Sequence, residues 1–114
     1  MSYRLDIQVE TDNRGLDMEM LETDSLSAGA PIAILDGATA TWSGGPLKKF
    51  AGQPYIFNLV IVAGSSVGLN LVSAWLYDKL KNRPATKLRI NRTEVEIEPN
   101  KIRVLIEEIE KEEQ

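Results

Sequence analysis

With 114 residues and neither cysteine nor histidine, the chain has the length of one domain and lacks thiolate nucleophiles, disulfides, the usual neutral-pH general base and the commonest metal ligands. Its 43% apolar and 26% charged residues exclude wholesale disorder. The net charge of −4 argues against bulk coating of nucleic acid, although it is unevenly spread: residues 1–53 are acidic, 54–77 carry no charge, 78–92 are basic (Asp78 against Lys79, Lys81, Arg83, Lys87, Arg89 and Arg92), and 93–114 are acidic again.

The opening Met-Ser-Tyr-Arg-Leu-Asp lacks a charged-then-apolar signal pattern, which predicts a cytoplasmic protein. Tyr3, Leu5, Ile7 and Val9 alternate with Arg4, Asp6, Gln8 and Glu10, the period of a half-buried strand. Leu16, Met18 and Met20 alternate with Asp17 and Glu19 in the same way. A two-residue turn at Asp12-Asn13 sets Val9 opposite Leu16 and Leu5 opposite Met20, so a first hairpin is predicted.

Residues 22–53 are less regular. Thr23-Asp24-Ser25 suits the cap of a short helical turn. Pro31 to Leu35 is an apolar run fit for a buried strand or part of a helix, and Asp36-Gly37 and Ser43-Gly44-Gly45-Pro46 are turn signals. So long a structureless stretch is unusual in a compact domain, and an element is expected within it.

The uncharged stretch, Pro54 to Tyr77, supports three readings. As a transmembrane helix it has the length and the flanking cations Lys48, Lys49, Lys79, Lys81 and Arg83, but Asn58, Ser65, Ser66, Asn70 and Ser73 interrupt it. Split, it gives a strand over 55–62, a glycine turn and a helix from about Ser66. That is the layout of a phosphate loop, without the GxxxxGK[ST] or GxGxxG spacing. The preferred reading is one buried helix over about 54–82, opened by Pro54 and stopped by Pro84. At about 1.5 Å per residue it would exceed 40 Å, longer than a compact domain of this size is wide, so it must bend, protrude or be covered by a second copy. Gly64 and Gly68, four apart on one face, then form a close helix–helix contact between two copies, which predicts a homo-oligomer.

Thr86 to Glu98 predicts a second hairpin. A turn at Asn91-Arg92 pairs Ile90 with Thr93 and Leu88 with Val95, and sets Lys87 and Arg89 opposite Glu96 and Glu94. After Pro99, Ile102, Leu105, Ile106 and Ile109 recur on one face of a helix over about 100–112. The fold class expected is α+β, with two hairpins forming an antiparallel sheet against the long apolar helix and the C-terminal amphipathic one.

Candidate sites are few. Ser65-Ser66 has neither a histidine partner nor a GxSxG elbow. Asp12, Asp17, Glu19, Asp24 and Asp36 read as solvated faces before they read as a catalytic pair, and Gly44-Gly45 with Lys48-Lys49 as a loop tip before an anion site. In the basic segment, helix-end and cross-strand pairing account for Lys79, Lys81, Lys87 and Arg89, leaving Arg83 and Arg92 as a partner surface. Trp42 and Tyr77 are the aromatics that a nucleic-acid reading would need near them.

An apolar helix with Gly64-Ser65-Ser66-Val67-Gly68 at its middle and Ala74-Trp75-Leu76 near its end resembles, together with the basic exit at Lys79–Arg83, the short hairpin and the closing acidic helix, the effector-associated constant component family. These are small adaptor-like domains attributed to prokaryotic conflict systems. The resemblance covers residues 54–113 and implies a non-enzymatic protein that links other components. The resulting expectation is an adaptor with no catalytic residue, cofactor or metal, binding a protein partner. A membrane-associated protein with residues 55–77 in the bilayer is the alternative, and a nucleic-acid binder using 79–92 comes third.

Overall fold

A computed structural model describes residues 2–47, 52–64, 67–83 and 86–113. Its elements run β1 (Ser2–Thr11), α1 (Leu16–Leu21), β2 (Pro31–Leu35), β3 (Ala38–Leu47), β4 (Tyr55–Gly64), α2 (Leu69–Leu80), β5 (Lys87–Ile90), β6 (Thr93–Val95) and α3 (Pro99–Glu113). The strands form one antiparallel sheet in the order β2-β3-β4-β1-β5-β6. The α+β class therefore holds, but the long apolar helix does not.

That segment divides as strand and helix. Residues 55–64 form an interior strand, paired to β1 along its whole length and to β3 on its other side. Isoleucine and valine are stiff at χ1 and pack well on a pleated surface, and Ile56, Val60, Ile61 and Val62 lie within this strand. The run carries no alternation of charge because the outward positions of β4 are Ile56, Asn58, Val60 and Val62. Ser65 and Ser66 lie outside the described residues.

The first hairpin is likewise corrected. β1 is a strand as its alternation predicts, yet it pairs with β4 and β5, and residues 16–21 are the helix α1. Leu16 and Met20 are buried and Met18 is exposed. A spacing of four fits a strand face and a helix face equally, and Leu21, also buried, breaks the alternation. Local polar bonds start the helix: the Asn13 N–H donates to Thr11 Oγ1 (3.1 Å), and the Gly15 N–H donates to Asn13 Oδ1 (3.0 Å). No helical turn follows Thr23, whose hydroxyl instead bonds both the N–H and the C=O of Ser25.

Residues 22–53 hide a hairpin, β2–β3, turning at Asp36-Gly37. The Ser43-Gly44-Gly45-Pro46 signal does not end β3; it marks irregular pairing with β4 between Trp42 and Leu47. The second predicted hairpin is present in the expected register, Leu88 with Val95, Arg89 with Glu94 and Ile90 with Thr93. The C-terminal helix buries Ile102, Ile106 and Ile109, with Leu105 half-buried.

Register fixes the two faces of the sheet. Tyr3, Leu5, Ile7 and Val9 lie beside Ala63, Ile61, Leu59 and Phe57, and onward beside Ala38, Ala40, Ile90 and Leu88. All are buried in one cluster with Val72, Leu76 and Leu80 of α2, with α3, and with Leu16 and Met20 of α1. The helices therefore cover this face. No helix among the described residues covers the opposite one.

Candidate functional site

The uncovered face is built by the alternate residues of the same strands. Along β1 these are Arg4, Asp6, Gln8 and Glu10, and beside them on β4 stand Val62, Val60, Asn58 and Ile56. The β4 row is the anomaly, since a solvated sheet face is ordinarily polar and this one carries three β-branched aliphatics. Val62 remains 38% exposed.

A cleft of about 350 Å³ lies on this face, lined by Arg4, Asp6, Gln8, Asn58, Val60, Arg89 and Arg92, with Ser43 of β3 at its side. Arg89 is its anchored member: its guanidinium donates to Gln8 Oε1 (3.1 Å) and pairs with Glu10 (3.3 Å) and Glu94 (3.4 Å). Arg4 leans on Asp6 at 3.3 Å, and both are exposed. Arg92 makes no ion pair with any described residue. Its backbone occupies the left-handed region, φ 72°, after Asn91 at φ 49°. Asn91 fastens this turn to β1: its N–H donates to the Asp6 carbonyl (2.8 Å), and its Oδ1 accepts from the Asp6 N–H (2.8 Å).

The other predicted site residues lie apart. Gly64 ends β4 and Gly68 precedes α2, so they share no helical face and the close helix–helix contact assigned to them is withdrawn. The Gly64 N–H donates instead to the Gly37 carbonyl at 3.0 Å, tying the end of β4 to the β2–β3 turn. Arg83, paired with Glu19, sits beyond α2 and lines a different surface from Arg92. Lys79 pairs with Glu22 and Lys81 with Asp78 (each 3.3 Å), so most of the basic segment is neutralised internally. Trp42 faces the helices, beside Leu59, and neither it nor Tyr77 lines the cleft. Asp12, Asp24 and Asp36 stand in three separate connections, and Asp17 is buried with its Oδ1 accepting from the Met18 N–H (2.9 Å). Lys48 and Lys49 lie outside the described residues.

Sequence reasoning singled out Arg92 but missed Arg4, Gln8, Asn58 and Val60. The signal was the uncharged character of 55–63 once it is read as a strand, because its outward half then carries aliphatic side chains on a face that no helix among the described residues covers.

Among the described residues no group of three acidic side chains is placed to hold a metal, and no helix is long and apolar enough to cross a membrane. No protein-family model matches the chain, and no curated protein or solved structure matches it.

Proposed function

We propose that this chain is a non-enzymatic interaction module that presents the uncovered face of its sheet to a protein partner. The observation that carries the reading is the outward row of half-buried Ile56 and Val60 and exposed Val62, in a strand at the middle of the sheet and near Arg4, Arg89 and Arg92. An apolar centre with arginine at its margin is the composition of protein interfaces. An adaptor role of the kind the family resemblance implies needs such a surface and no catalytic group. Self-association keeps no assigned contact once its glycine seam is split.

A photo-crosslinking residue at position 62, in the cells that naturally make the protein, tests this. It should capture a discrete partner, whereas the same residue at exposed Val104, on the helix-covered side, should not. Capture from 104 alone, or from neither, would defeat the proposal.

A further inference from the structure

We infer that the cleft on the uncovered face receives an extended acidic segment of the partner, with Arg92 as the principal carboxylate ligand. The inference rests on the open-face reading and adds the chemistry of the occupant. Three guanidinium groups and one carboxylate line the cleft, in a chain whose net charge is −4. Arg89 is already committed to Gln8, Glu10 and Glu94, and Arg4 to Asp6. The guanidinium of Arg92 and the side-chain amide of Asn58 bond no described residue, so a fork of donors and an amide are left for a ligand.

The backbone points the same way. Two-residue hairpin turns with positive φ at both positions favour Asn followed by Gly, because only glycine adopts the second conformation without steric cost. Here Asn91 is followed by Arg92 at φ 72°, which places a long cation on the most strained residue of the turn. The two 2.8 Å bonds from Asn91 to Asp6 hold that turn against β1, so Arg92 is presented at the cleft from a fixed base and less ordering is needed on binding. Acidic protein is the occupant favoured over nucleic acid because Val60 gives the cleft an apolar floor suited to side chains, and because no aromatic side chain among the described residues lines it for a base to stack on.

Fluorescence anisotropy with labelled hexaglutamate is the test, with an oligothymidylate as the competing arm and Arg92→Gly as the variant. Glycine relieves the turn, so lost binding cannot be ascribed to lost folding. Hexaglutamate should bind, weaken as salt rises from about 50 to about 200 mM, and lose affinity about tenfold or more in R92G; the oligonucleotide should not bind. Absent peptide binding, or equal binding by R92G, overturns the inference. So does tighter binding of the oligonucleotide, which would make the cleft a phosphate site. Light scattering that shows a dimer dissociated by R92G would assign the cleft to the acidic C-terminal helix of a second copy instead, and would overturn it too. If crosslinking from position 62 still finds its partner while hexaglutamate fails, the surface stands and only its chemistry is wrong.

Discussion

Replacing Arg92 by glycine should make the protein more stable. The second residue of the β5–β6 turn lies at φ 72°, where an L side chain brings Cβ against the following carbonyl oxygen at a cost of about 1–2 kcal/mol. Glycine escapes that clash, but it gives the unfolded chain more freedom, which returns about 0.5–1 kcal/mol. No described residue loses an ion pair, so nothing else enters. At the middle of these ranges the net gain is about 0.75 kcal/mol, which for a chain of this length raises Tm by roughly 3–5 °C.

Thermal melts by circular dichroism at neutral pH and urea titration at fixed temperature both read this change. Arg14→Gly supplies the comparison: Arg14 is exposed and its φ is not positive, so there glycine contributes only its unfolded-state freedom and Tm should not rise. A lower or unchanged Tm for R92G, or the same shift for R14G, would show that the turn carries no strain, and the argument for a retained arginine would go with it.

Gly37→Ala should destabilise by about 2–3 kcal/mol in urea titration, because its φ is 89° and a Cβ there would meet Val67 Cγ2 at 2.8 Å; a change under about 0.5 kcal/mol would show that the turn yields freely. Leu76→Ala, at a fully buried position of α2, should cost about 2–5 kcal/mol by the same assay, and a loss below about 1 kcal/mol would mean that the helix is not packed on the sheet. Tyr3→Phe should be neutral or stabilising, since the Tyr3 hydroxyl is buried without a hydrogen-bond partner among the described residues. Burial, and then the charge of Glu110, push the Tyr3 hydroxyl above its ordinary pKa of 10.0. Folding therefore favours its protonated form, and this contribution is full below pH 10 and lost as pH rises through the folded value. Wild type should lose stability above that pH more steeply than Y3F, and parallel alkaline profiles would count against the assignment.

Legibility in the sequence followed the range of the contacts. The β5–β6 hairpin was readable because its register, its turn and the Arg89–Glu94 pair all lie within a few residues of one another. The C-terminal helix was readable because Ile102, Ile106 and Ile109 face one core. β1 was readable as a strand but not in its partners, since Leu5 finds Ile61 and Val9 finds Leu88 from far along the chain. Nothing local distinguishes those from a nearer alternating run such as 16–20, where Leu16 and Met20 satisfy both periods.

The stretch from 54 to 82 shows why apolar content alone misleads. Periodicity separates helix from strand only where one side is polar, and the outward positions of β4 are aliphatic apart from Asn58. The glycines were the better witness: Gly64 and Gly68, each costly inside a helix, stand where β4 ends and just before α2 begins. The candidate site was hidden by the same error. Read as helix, Ile56, Val60 and Val62 belong to a core; read as strand, they stand on the side opposite Phe57, Leu59 and Ile61, where no helix among the described residues reaches. The residues that make the interior strand stable are therefore also the ones that set an aliphatic row on its outer face, beside the arginines of β1, β5 and the β5–β6 turn.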